Sequence, residues 1–126
     1  MVVAAFAPWH EHHERAAAAI RDVRGLIAHV ELETYSVLTR MPPPRRAPAP
    51  LVGTFLRERF PGERLELPTS ERRGLIDRLA FAGIAGGAVY DALIAACAAA
   101  HGVALVTLDE RALSVYELFD VPLLTP

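Results

Sequence analysis

Residues 86–109 read GGAVYDALIAACAAAHGVALVTLD, and the fold turns on how this stretch divides. Gly86 and Gly87 interrupt the preceding chain. Residues 88–101 then run as small and apolar helix formers. Gly102 stands where such a helix stops, because glycine enters the left-handed closing conformation freely. Residues 103–108 are an apolar run, the pattern of a strand buried on both faces, and the run ends at Asp109. A helix, a glycine stop and a buried strand in that order predict an α/β domain with a parallel sheet.

Working outward, residues 110–119 predict a short helix and 121–124 a last strand. Upstream, 69–82 predict a helix that Thr69 or Ser70 can cap, with Glu71 and Arg72 in its first turn. Residues 65–67 predict a strand cut off by Pro68, and Pro61-Gly62 a turn. A short amphipathic helix is expected over 51–60. The run PPPRRAPAP at 42–50 reads as a stiff connector that is neither helix nor central strand. Helix is expected over 31–40, where Val30, Val37, Leu38 and Met41 offer an apolar stripe. Residues 26–30 read as a short strand or extended entry, and 9–24 as a first helix stopped by Gly25. Neither side of the proline run is long enough to fold alone, so residues 1–126 are read as a single domain.

Composition excludes several classes. The chain has 126 residues, 52% of them hydrophobic and 22% charged, which argues for a packed core rather than disorder. No apolar run reaches the roughly 18 residues of a membrane span. The first seven residues are apolar but lack a basic leader, so no secretory signal is expected. The single cysteine, Cys97, rules out a disulfide framework and fits a reducing, cytoplasmic compartment. A net charge of −2 gives no bulk attraction for nucleic acid, so any nuclease reading must rest on a local site. Every basic residue other than histidine is arginine, and Lys, Asn and Gln are absent; a GC-rich genome accounts for this.

Few residues offer chemistry. Asp109 follows a buried strand, and in open α/β sheets ligands gather beyond the carboxyl ends of the strands. It reads equally as the cap of the next helix. Thr107 is close enough in sequence to support it. Asp91 falls in the first turns of an otherwise apolar helix, whose dipole favours an ionised carboxylate. Hard oxygen donors of this kind suit Mg²⁺ or Mn²⁺. Glu33 lies between Val30 and Val37 on the helical wheel, towards the expected core, while Glu31 lies beside Leu38 and Tyr35; periodicity does not choose between them. The cluster His10-Glu11-His12-His13-Glu14 lacks HExxH spacing and reads as a solvated helix face. Cys97 sits in an alanine-rich helix and reads as packed rather than nucleophilic. There is no Walker loop, no GxGxxG and no GxSxG elbow, and no aromatic-plus-basic face is evident.

The runs ETYSVLTR (33–40), GGAVYDALI (86–94) and LVTLD (105–109), in this order, resemble the PIN-domain ribonucleases, above all the VapC-type toxins of bacterial toxin–antitoxin pairs. The early WHEHH segment is similar to the first helix of these toxins. The resemblance implies a three-layer α/β/α sandwich with a short parallel sheet. It also implies an endoribonuclease dependent on Mg²⁺ or Mn²⁺, blocked by a VapB-like antitoxin and working as a homodimer on cellular RNA. It aligns Glu33, Asp91 and Asp109 with the family's acidic positions, preferring Glu33 to Glu31, and Thr107 with the hydroxyl that supports the last acid. Asp91 and Asp109 are then expected metal ligands, and Glu33 a ligand or a positioner of water, all three in one anionic pocket. Arg40 and Arg111 are candidates to touch phosphate.

One departure stands out. The family opens with a strand ending in Asp-x-Ser or Asp-x-Thr, and here residues 1–6 resemble the helix start that follows it. The first strand is therefore expected to be truncated, through a start assigned at an internal valine codon or through degeneration. A form lacking that strand is expected to be less stable and to bind Mg²⁺ weakly. The alternative reading is a catalytically impaired protein that still engages an antitoxin.

Overall fold

The structure, a computed structural model, describes residues 1–124 and Pro126. Its backbone falls into two compact units, Met1–Arg64 with Pro126 and the chain from Leu65 onward.

In the first unit, α1 (Val2–Phe6) packs on α2 (His13–Ala19), which is followed by β1 (Leu26–Ile27), α3 (Ala28–Arg40) and α4 (Ala49–Arg59). Buried Val2, Ala4, Ala5, Ala16, Leu38, Val52 and Leu56 form its core, closed by Phe60 at 1% exposure. The Phe55 ring meets Phe6 edge-on at 5.1 Å and Phe60 at 6.2 Å, the geometry favoured by aromatic quadrupoles.

The helix expected over 9–24 is much shorter. Pro8 has no N–H to continue α1. The chain turns instead, with the amides of His10 and His13 donating to Ala7 O and His10 O at 2.9 Å each. The His12 amide donates to His10 Nδ1 at 3.1 Å. Helix resumes only at His13, whose Nδ1–H donates to Ala4 O at 2.9 Å and satisfies a carbonyl in the last turn of α1.

The proline connector is also shorter than expected. Ala49 and Pro50 already belong to α4, because a proline in the first helical turn gives up no intrahelical bond. The Ala47 amide donates to Leu38 O at 3.0 Å and docks the segment on α3.

Arg64 ties the unit together. Its guanidinium donates to Phe60 O (2.6 Å), Gly62 O (3.0 Å) and Leu56 O (3.1 Å) at the end of α4, and through Nε to Glu31 Oε1 on α3 at 2.7 Å. A cation at a helix C-terminus offsets the negative pole of the dipole, and the planar fork reaches several carbonyls at once.

The second unit contains α5 (Thr69–Ala82), α6 (Ala88–Ala100), β3 (Leu105–Val106), a 3-10 turn (Glu110–Ala112), α7 (Leu113–Glu117) and β4 (Leu123–Leu124). Both α5 and α7 pack on α6. The buried positions of α6 are Ala92, Ala95 and Ala98, all without exposed surface, and Cys97. Neither Thr69 nor Ser70 caps α5: its N-cap is Pro68, with no side-chain bond. Gly83 ends α5 at φ +69°, and Gly102 follows α6 at φ +61°, both in the left-handed region. The guanidinium of Arg78 lies over the Phe119 ring at 4.0 Å and donates to Leu118 O at 2.7 Å. The helix expected over 110–119 divides into the 3-10 turn and α7.

The strands are present but contracted. β2 spans only Arg64–Leu65 and pairs with β1; β3 pairs with β4 in parallel, Leu105 opposite Leu123 and Val106 opposite Leu124. The run 103–108 loses both ends to neighbouring elements. The Val103 amide donates to Ala98 O at 3.1 Å, closing α6, and Thr107 enters the turn that holds Asp109. The architecture is the expected α/β class with a short parallel pairing.

Candidate functional site

Two of the expected acids lie in the second unit. Asp91 occupies the first turn of α6, half-buried. Its place is set by Gly86 at φ +61°, which turns the chain into the helix while the Val89 and Tyr90 amides donate to Gly86 O and Gly87 O. Partial positive charge at the helix N-terminus favours an ionised carboxylate there.

Asp109 lies just beyond β3 and is exposed. Its Oδ1 accepts the Arg111 N–H at 3.0 Å, so it does cap the 3-10 turn. Its own N–H donates at 3.0 Å to Oγ1 of Thr107, which is buried. The hydroxyl thus fixes the backbone that carries Asp109. Capping does not exhaust the carboxylate, because each oxygen has two lone pairs.

Glu33 lies in the first unit, on α3. Contrary to the helical-wheel reading, it points away from the core and is exposed; Thr34 and Leu38 are the buried positions, and Leu32 beside it is 71% exposed. The inward-leaning acid of this helix is Glu31, which Arg64 engages. Glu31 therefore has a structural part that periodicity did not separate from that of Glu33.

Among the described residues, no three His, Cys, Asp or Glu side chains gather closely enough to hold a metal ion. The anionic pocket expected of Glu33, Asp91 and Asp109 is therefore not among the groupings seen. The same holds for the histidine cluster, where His10 and His13 are engaged with the local backbone. The chemistry of the donors still fits Mg²⁺ or Mn²⁺: carboxylate oxygens are the hard ligands these ions prefer. Mg²⁺ also keeps several waters and is commonly held by one or two carboxylates together with substrate phosphates.

Cys97 is buried on α6. Desolvation, and then the charge of Glu66, push its thiol above the ordinary value, which agrees with a packed, unreactive residue. No helix among the described residues is long and apolar enough to cross a membrane.

Sequence reasoning missed two pairings that the fold creates. One is Glu31 with Arg64. The other is Trp9 with Arg45, whose guanidinium lies 4.7 Å from the indole centroid. The partners are 33 and 36 residues apart, and only the tertiary arrangement joins them. A proline run followed by paired arginines was the one available signal for the second.

Comparison with known proteins covers nearly the whole chain. Residues 1–118 match the PIN domain family. Ribonuclease VapC40 of Mycobacterium tuberculosis, in strains CDC 1551 / Oshkosh and H37Rv, is 46% identical over 117 residues, covering 93% of this chain and 87% of the relative. Ribonuclease VapC27 of strain H37Rv is 41% identical over 118 residues, covering 94% of this chain and 79% of the relative. No solved structure matches. A strand-end acid held by a buried threonine, an acid opening an alanine-lined helix, and a family match running from the first residue through α7 agree, and the chain belongs to the PIN-domain family, alongside its VapC-type members.

Proposed function

We propose that this protein is an endoribonuclease toxin that cleaves cellular RNA and is neutralised by a VapB-type antitoxin, working as a cytoplasmic homodimer whose residues 1–126 form one PIN-like domain. The observation that carries the reading is the likeness to VapC ribonucleases over more than nine-tenths of the chain. The proposal includes dependence on Mg²⁺ or Mn²⁺. Asp91 and Asp109 are the residues that would hold the ion, with Glu33 as a further ligand or as the group that orients the attacking water. Such an ion, when bound, supplies Lewis acidity towards a phosphodiester.

The chain's own groups have definable tasks. Thr107 anchors Asp109 through its amide at 3.0 Å, so the carboxylate is presented from a fixed backbone. The start of α6 favours negative charge at Asp91. Arg40 and Arg111 are exposed cations available to phosphate.

A second reading has one observation in its favour. The lack of any three-donor group among the described residues suits a protein that binds antitoxin without cutting. One assay separates the two. Purified protein incubated with single-stranded RNA and Mg²⁺ should cut it, should stop in EDTA, and should lose at least about 100-fold in rate as Asp91→Asn. Intact RNA in Mg²⁺ and in Mn²⁺ would favour the binding module. Cleavage that persists in EDTA or in Asp91→Asn would overturn the metal-dependent assignment.

A further inference from the structure

Trp9 is the chain's single tryptophan and it is not buried: 42% of it faces solvent, in the turn between α1 and α2. Large aromatics are normally buried, so an exposed one held in place by its neighbours needs an account. The ring contacts of Trp9 are with polar side chains. His10 lies 6.2 Å from the indole, centroid to centroid, and His12 lies 5.7 Å from His10, which makes a short row of rings along the turn. Arg45 lies over the indole at 4.7 Å.

The arginine is delivered by a stiff segment. Pro42, Pro43 and Pro44 restrict the backbone before it, and its own amide donates to Pro42 O at 3.1 Å. Arg46, next in sequence, is fixed through Nε to Met41 O at 2.9 Å. Between residues 34 and 57 the chain carries Arg40, Arg45, Arg46 and Arg57 and no acid, in a protein whose net charge is −2. The acid nearest the ring row in sequence is Glu11, which lies 3.7 Å from His12.

We propose that Trp9 and Arg45, flanked by His10, His12 and Arg46, form a platform for single-stranded RNA. Bases stack on the rings and the guanidinium plane, and the arginines meet the backbone phosphates. This deepens the ribonuclease reading and rests on it. Stackable faces interleaved with always-charged, planar cations are what single-stranded nucleic acid requires, and such sites tolerate many sequences because every base has a π-face. A protein partner would call for apolar contacts around the tryptophan, and the ring and cation contacts it makes are with histidine and arginine.

Binding is tested on the full chain in EDTA, where metal-dependent cutting is silent. The probe is a short, fluorescein-labelled single-stranded RNA of mixed sequence, followed by anisotropy, with the fluorescence of Trp9 as a second and local reporter. Wild type should bind with quenching of the indole. Trp9→Ala should weaken binding about tenfold and Trp9→Phe much less. Arg45→Ala should lower the slope of log K against log salt by about 0.7, the share of one phosphate contact on a single strand. Arg45→Lys should keep the slope and lose part of the affinity. Thermal unfolding of each variant shows that the fold is intact, and in the cleavage assay the loss should fall mainly on KM.

RNA bound equally well by wild type, Trp9→Ala and Arg45→Ala would overturn the platform while leaving the ribonuclease reading in place. RNA not bound by wild type in EDTA would overturn it too, and the cleavage assay in Mg²⁺ would then judge the ribonuclease reading separately. Indole quenching by an antitoxin but not by RNA would reassign the surface to a protein.

Discussion

Arg64 is the best place to test the account of the first unit. Arg64→Met keeps most of the side chain's apolar stem and removes the fork. Three carbonyls at and just after the end of α4 and the Glu31 carboxylate lose the guanidinium, at distances of 2.6 to 3.1 Å, though Leu56 O keeps the Phe60 amide. Hydrogen bonds to a charged group contribute roughly 1.5–3 kcal/mol each when isolated. The two side chains are 24% and 27% exposed, so water replaces part of the loss and the four terms do not add. A net cost of about 3 kcal/mol follows, which for a chain of this length lowers Tm by roughly 10 °C. Arg64→Lys should recover less than about half of this, since an ammonium cannot span the carbonyls and the carboxylate together. In a double-mutant cycle with Glu31→Gln the coupling should be about 1 kcal/mol, above that of an exposed pair. Urea unfolding followed by circular dichroism gives the free energies, and a thermal melt gives the Tm shift. A cost below about 1 kcal/mol for Arg64→Met, or full recovery by lysine, would refute the reasoning.

Other expectations follow from single sites. Asp109→Ala should lose both cleavage and a helix cap, about 1 kcal/mol by chemical denaturation, whereas Asp109→Ser should lose cleavage and keep most of the stability; equal activity of the two with wild type would remove Asp109 from the site. Cys97 should resist alkylation at neutral pH in the native protein and react at a pH above that of a free thiol. Because its folded value is raised, stability should fall as pH rises past the unfolded thiol's value, and a reaction at the rate of a free thiol would show it to be exposed. Gly74→Ala, in the open interior of α5, should stabilise by about 0.5–1 kcal/mol. Gly62→Ala would place a Cβ 2.8 Å from the Arg24 carbonyl oxygen and should cost more than about 1 kcal/mol; thermal melts rank the pair, and the reverse order would contradict the packing described.

What could be read from the sequence follows the range of the interactions. The helix opened by Gly86-Gly87 and closed before Gly102, and the strand after it, depend on local propensity and on apolar runs, and both were legible. Strand lengths were not, because the Val103 amide and the Thr107 hydroxyl are drawn into adjoining turns. The first helix was read too long because good helix formers conceal a proline turn stabilised by an imidazole acceptor. The acid at the end of β3 was legible, and so was its alternative as a cap, which the structure bears out. Which of Glu31 and Glu33 leans inward was not available from periodicity, since Glu31 is held by Arg64, an ion-pair partner more than thirty positions away. The aromatic-and-arginine face escaped for the same reason.

Apart from the Cys97 thiol, the buried positions of α6, the helix on which α5 and α7 pack, carry only methyl groups: Ala92, Ala95 and Ala98 have no exposed surface. Such a seam is lopsided in what it tolerates. Trimming to glycine leaves only a small void, whereas a single added branch, as in Ala95→Val, must drive a neighbouring helix outward, for about 1–3 kcal/mol. Random mutagenesis should therefore find this ridge vulnerable to enlargement, and the family's freedom to vary there should run towards serine and glycine rather than towards bulk.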